Sequence, residues 1–201
     1  MCLYLFSFKV SVHLYLFTFE WIYRKLIGAR YYADPNDSGD NTARDSNGHG
    51  THVAGTAAGV MVTNASYYGV ATGCAKGGSP ESRLAVYRVC SNFGCRGSSI
   101  LAAFDDAIAD GVDVLSVSLG ASTGFRPDLT SDPISLGAFH AMEHGILVVC
   151  SAGNDGPSSY TLVNDAPWIL TVAASTIDRN FLSNIVLGDN KIIKVHTNLN
   201  M

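Results

Sequence analysis

The chain has 201 residues, of which 47% are hydrophobic and 15% charged, with a net charge of −4. That composition suits one globular domain with a sizeable core and excludes a disordered chain. The negative balance and the lack of a Lys/Arg cluster argue against a nucleic-acid surface and against docking on anionic lipid.

In chain order, residues 1–19 are apolar and aromatic, but Lys9 and His13 interrupt them. The segment lacks the basic start and the small-residue cleavage site of a signal peptide, and it is too broken for a membrane span. Alternation over residues 6–13 suits a strand. Residues 1–23 are thus an atypical apolar N-terminus without an assigned function. Residues 24–32 read as a short strand. Residues 33–48 hold four Asp, three Asn and two Gly among sixteen, which is a surface loop. It delivers the chain to His49, where a helix of small residues begins.

Beyond that helix, residues 64–69 read as a polar break, and Gly69-Val70-Ala71 as the start of an extended segment. Residues 84–89 are apolar and β-branched, a strand. Residues 98–110 form a helix with Ile100, Leu101, Phe104 and Ile108 on one face and Ser98 or Ser99 as its cap. Residues 112–119 are the next strand. Asp132-Pro133 opens a helix running through His144, with proline where its missing N–H costs least. On that helix Phe139, Met142 and Ile146 make the apolar stripe, and His140 and His144 lie round from it. Residues 146–150 and 168–173 are strands. Strands alternating with helices from 84 to 173 predict an α/β fold: a doubly wound, mostly parallel sheet with helices on both faces. Sites in such sheets lie at the carboxyl ends of strands. Ser118-Leu119-Gly120 and Asn154 both follow such ends.

Five cysteines stand at 2, 74, 90, 95 and 150, with no zinc spacing and no Cys-x-x-Cys pair. Cys90 and Cys95 are close enough for a small-loop disulfide. Asn64-Ala65-Ser66 is an N-glycosylation sequon, meaningful in a secreted chain. His140-Ala-Met-Glu-His144 fits a zinc pattern, but such a site needs a third ligand, commonly a downstream Glu, and none follows Glu143. Solvated helix residues are the better reading, and no metal is expected.

Two strings carry chemistry. In His49-Gly-Thr-His-Val-Ala-Gly-Thr56 an imidazole, which titrates near neutral pH, sits exposed at the start of a rigid helix. In Ser151-Ala-Gly-Asn-Asp-Gly156 a turn ends an apolar strand; alone it would pass for ordinary turn chemistry. Together the two strings closely resemble the subtilisin-like serine proteases. Residues 100–120 and 173–179 resemble the plant members, over roughly residues 24–195. The resemblance implies hydrolysis of peptide bonds through a serine acyl-enzyme. It implies His49 as general base, Asn154 as side-chain donor to the oxyanion, and Ser118, Leu119, Gly120 and Gly153 against the substrate backbone. It further implies a peptide or protein substrate, no cofactor and an extracellular location.

The triad chemistry also needs an aspartate and a serine, in the family order Asp, His, Ser. The aspartate belongs on an apolar strand before His49. Asp34, Asp37, Asp40 and Asp45 all lie in the polar loop, and Asp37-Ser38-Gly39 looks like the motif in the wrong place. No Gly-Thr-Ser-Met-Ala string exists. The expectation is therefore a partial catalytic domain at 24–183 that has lost its first central strand and leaves an apolar sheet edge open. A tail at 184–201 would lead toward the protease-associated insert of plant members. An inactive remnant that binds peptide weakly, or a truncated gene product, is the alternative.

Overall fold

The computed structural model describes residues 4–9, 25–32, 34, 41–124, 126–176 and 182–196. Its main sheet has six strands: β1 (Tyr4–Lys9), β2 (Leu26–Tyr31), β5 (Arg83–Arg88), β8 (Val114–Val117), β9 (Leu147–Ser151) and β10 (Leu170–Val172). They lie in the order β10-β9-β8-β1-β5-β2. The outer pairs β10–β9, β9–β8 and β5–β2 are parallel, while β1 runs antiparallel to both β5 and β8. Five strands therefore share one direction and the sixth opposes them, which is the mostly parallel α/β sheet expected. Smaller antiparallel pairs are β3 (Val62–Tyr67) with β4 (Val70–Ala75), β6 (Cys90–Ser91) with β7 (Gly94–Cys95), and β11 (Leu182–Val186) with β12 (Ile192–His196).

The central slot corrects one expectation. Instead of an open edge between β5 and β8, the N-terminal segment fills the gap and supplies a backbone ladder to both neighbours. Tyr4 stands opposite Arg88 and Leu5 opposite Val117, so the amino end of β1 lies at the carboxyl ends of the strands beside it. Residues 10–13, the rest of the alternating stretch, lie outside the described residues.

Alternation along β5 divides the sheet into two faces. Ala85 and Tyr87 face a large core formed with α2 (Gly97–Ala109) and α3 (Pro133–Glu143). Leu84 and Val86 face α1 (His49–Ala58), where they meet Val53, Ala54 and Ala58. On the first face α2 and α3 pack so closely that a Cβ on Gly137 would come within 2.3 Å of the Phe104 ring. Asp132 caps α3 by accepting a bond from the Ile134 N–H at 3.0 Å, with Pro133 inside the first turn.

Other sequence readings need amending. The polar break at 64–69 is a β3–β4 hairpin, because Tyr68 and Gly69 take left-handed turn conformations between extended arms. No serine caps α2: its N-cap position is Arg96 and no side chain bonds there. On α3 Ile134, Ser135, Ala138 and Ala141 are the buried face, with Phe139 and Met142 exposed. The stripe drawn through Phe139 and Met142 was displaced round the helix, because small residues mark the close-packed side here. Ile146, just past the helix, is buried as read.

Candidate active site

Two short segments meet the carboxyl edge of the sheet from opposite sides of β1. The first is the start of α1. The chain from 77 to 79 closes the other end of this helix, with the N–H groups of Gly77, Gly78 and Ser79 bonding Gly59, Thr56 and Ala57 carbonyls. That end lies near Leu84, at the start of β5. The helix therefore runs against the strands and carries His49 to their carboxyl ends.

The loop before His49 is held from two sides. Asp45 accepts bonds from the N–H groups of Asn47 (3.0 Å), Gly48 (2.8 Å) and Thr51 (2.7 Å) and from the Thr51 hydroxyl (2.6 Å). Burial alone would push this carboxyl up, but the four bonds outweigh it and bring its pKa down to about 2. The carboxylate thus satisfies helix-terminal donors that α1 leaves open, since Gly48 at the N-cap has no side chain to do so. From the other side Arg88, 3% exposed at the end of β5, donates to the carbonyls of Thr42 (2.8 Å) and Arg44 (3.0 Å). Sequence reasoning passed over both residues. In the sequence Asp45 stands only as a triad candidate, and Arg88 only as one residue of the strand read at 84–89.

His49 itself is half-buried, and its Nδ1 is fully enclosed with no hydrogen-bond partner among the described residues. A buried imidazole nitrogen without a partner is costly, and the atom that normally repairs it is a carboxylate or carbonyl oxygen. Neither described aspartate before it does so. Asp34 is enclosed with Ser91 (2.9 Å) and Arg96 (3.1 Å), Asp45 serves the helix, and Asp37 and Asp40 lie outside the described residues. The strand in the central slot brings Tyr4 and Leu5 to this edge, not an acid.

The second segment is the turn after β9. Asn154 is exposed, and Gly153 before it has φ 93°, a left-handed conformation that favours glycine. Asp155 fastens the turn to the loop after β8 by accepting from the Thr123 N–H (2.9 Å) and hydroxyl (2.7 Å), bonds that hold its carboxyl below the usual range. Behind both strand ends sits Asn164, which sequence reasoning missed. Its amide donates to the Leu119 carbonyl (2.6 Å) and the Ser151 carbonyl (2.8 Å) and so fixes the spacing of the two strand ends. Gly120 and Gly153 let this happen: a Cβ on either would lie about 3 Å from Val163 Cγ2. Within Ser118-Leu119-Gly120 the Leu119 side chain belongs to the core. The only signal for Asn164 was an Asn-Asp-Ala-Pro string that reads as a plain turn.

No replacement nucleophile stands out among the described residues. The Cys150 thiol is buried, and burial, with Asp132 nearby, pushes its pKa up to about 12, far from a thiolate at neutral pH. Ser135 Oγ is enclosed within α3. On the same helix His140 bonds Glu143 (3.1 Å) and His144 bonds the His140 carbonyl (2.9 Å), as solvated helix residues do. Among the described residues no three His, Cys, Asp or Glu gather where a metal could sit. No described helix is long and apolar enough to cross a membrane. Cys90 and Cys95 are joined in a disulfide that closes the β6–β7 hairpin.

Comparison with known proteins gives a consistent picture. The model of the subtilase family, peptidase S8, matches residues 23–194. A CO(2)-response secreted protease of Arabidopsis thaliana is 66% identical over 172 residues, covering 85% of this chain and 22% of that protein. Subtilisin-like protease SBT5.1 of the same plant is 62% identical over 175 residues, again 85% of this chain and 22% of that protein. The chain thus spans about a fifth of the length of these curated relatives. Among solved structures, a psychrophilic protease superimposes with a TM-score of 0.54 at 25% identity, over 86% of this chain and 51% of that one.

Proposed function

Because the chain belongs to the subtilase family, we propose that His49 and Asn154 are the general base and the oxyanion donor of a serine peptidase acting on peptide or protein substrates. The observation that carries this reading is the enclosed, unpartnered Nδ1 of His49 at the carboxyl edge of the sheet. In a serine peptidase the base takes the serine proton through one nitrogen while an aspartate holds the other in the correct tautomer. His49 has the enclosed nitrogen, and no described aspartate reaches it. Asn154 supports its role by exposure on a turn that Gly153 and Asp155 fix. Ser118 and Gly120 then offer an extended backbone edge to substrate, with Leu119 as their anchor in the core and Gly153 across from them. The chemistry uses no metal and no cofactor.

These 201 residues alone do not hydrolyse peptides at an enzymatic rate. In the subtilisin example, loss of the serine or the histidine costs roughly a factor of 10⁶ in turnover, about as much as loss of the whole triad. Here no described aspartate orients His49, and no recognisable serine motif supplies the proton it would take. What the edge retains is the capacity to hold an extended peptide. The test is a peptide-hydrolysis assay on the purified monomeric chain beside His49→Ala, with NMR titration of an unlabelled peptide. Background hydrolysis in both, with peptide-induced shifts at Asn154, Ser118 and Gly120, is expected. Turnover that disappears in His49→Ala would overturn the inactive reading.

We further infer that the chain is made for an oxidising, extracellular setting. The Cys90–Cys95 disulfide and the exposed Asn64 of the sequon support this. Expression through a secretory host should give product whose mass falls on deglycosylation and stays unchanged when Asn64→Gln is made. We divide the chain as the sequence suggests, with a subtilisin-like unit at 24–183 between the apolar segment 1–23 and the tail 184–201.

A further inference from the structure

We propose that Arg88 is the positioning residue of His49: from the end of β5 its guanidinium fixes the loop that launches α1. The proposal rests on the reading of His49 as the base.

The geometry is a clamp with two jaws. By the alternation of β5, Arg88 follows Leu84 and Val86 onto the face that α1 covers. Its Nη1 donates to the carbonyls of Thr42 and Arg44, its Nη2 reaches Ser46 Oγ at 3.4 Å, and its Nε reaches the Cys90 carbonyl at 3.3 Å. Residues 42, 44 and 46 thus turn toward the sheet. Asp45, between them, turns the other way and takes four donors from the first turn of α1. One short stretch is gripped through its carbonyls by Arg88 and through its carboxylate by the helix. Backbone bonds do not do this work: the loop runs from 41 to 48 as bends with no strand pairing.

The anchor of the clamp is rigid. The Arg88 carbonyl accepts from the Tyr32 N–H at 3.1 Å, and β5 is paired on both sides, by β1 and β2. A guanidinium suits the task because its planar fork serves several acceptors at once, whereas an ammonium is a point donor. Among the described residues, the apolar contact beneath α1 is Ala58 and Leu84, with Val53, Ala54 and Val86 partly covered. The position of His49 is therefore transmitted from the sheet through Arg88, the 42–46 carbonyls and Asp45.

The test compares Arg88→Met and Arg88→Lys with the native chain in readouts that need no turnover. One is the carboxyl titration of Asp45 by carbon NMR. The other is acylation of His49 by diethyl pyrocarbonate, with His140 and His144 as internal references. Arg88→Met should move the Asp45 midpoint from about 2 toward its ordinary 3.8 and speed His49 acylation several-fold, with Asp155 and the reference histidines unmoved. Arg88→Lys should recover part of both effects. Unchanged Asp45 and His49 in Arg88→Met would overturn the proposal. So would a general loss of fold in Arg88→Met if the folded Arg88→Lys chain showed native values. A failure of the proposed peptide edge would appear instead as absent shifts at Asn154, Ser118 and Gly120 in the peptide titration, with this clamp intact.

Discussion

The two faces of the sheet are covered on different terms. On one, α2 and α3 bury a continuous core that includes Tyr87, Phe104, Leu115, Val117 and Val148, all nearly inaccessible. On the other, among the described residues, α1 meets the sheet through Ala58 and Leu84, with Val53, Ala54 and Val86 partly covered. The first face is held by apolar burial, which is strong and indifferent to small changes in direction. The second carries polar grips at both helix ends, which are individually modest but fix orientation. The histidine proposed as the base rides on the second.

Breaking the apolar side should have the largest effect. Phe104→Ala removes a fully buried ring between α2 and α3 and is expected to cost ~3–5 kcal/mol in urea unfolding. The matching truncation on the other face, Val53→Ala, is expected to cost ~1 kcal/mol or less because that side chain is only partly covered. Equal losses would mean that α1 is packed as the other helices are.

Next comes the far end of α1. A Cβ on Gly77 would lie 2.3 Å from the Gly59 nitrogen and 2.8 Å from the Gly55 carbonyl, backbone atoms that cannot swing aside. Gly77→Ala should cost ~1–3 kcal/mol. Its signature is faster amide exchange in residues 53–59 while α2 and α3 stay protected. Exchange that rose uniformly would place α1 and the main core in one cooperative unit.

The near end of α1 should lose less than the far end. Asp45→Ala should cost ~1 kcal/mol, as loss of a helix-capping carboxylate does. The carboxyl is depressed in the folded chain, to about 2 from 3.8. Its contribution is therefore fully present above the unfolded value and lost as pH falls through the window between 3.8 and about 2. Native and Asp45→Ala stability curves should converge across that window and run parallel above it. A gap that persisted below pH 2 would assign the loss to packing.

The apolar face was legible in the sequence and the polar one was not. The strands at 84, 114 and 147 and the helix opened by Asp132-Pro133 announce themselves through runs of apolar residues and a strong start signal. The sites His49 and Asn154 were marked by dense local strings. Asp45, Arg88 and Asn164 carry no such mark, since each bonds backbone groups far along the chain or across a turn. Backbone acceptors are the same at every residue, so no pattern of side-chain types reveals which one a distant donor will find. The α3 stripe failed for a related reason. Two helices that touch through Gly137 select small residues for the contact, and hydrophobicity then points away from it.

The reversed β1 separates two kinds of completeness. Amide groups pair as well with a neighbour running against them as with one running alongside, so the ladder of β5 and β8 is closed. Polarity still matters for what a strand delivers, because each strand has one end at the working edge. An ordinary co-directional strand would deliver its final residues there; β1 delivers its first, Tyr4 and Leu5. A folding machine that inspects only exposed edges would accept this sheet as finished. At the edge where a peptide is proposed to dock, the middle strand is inserted back to front.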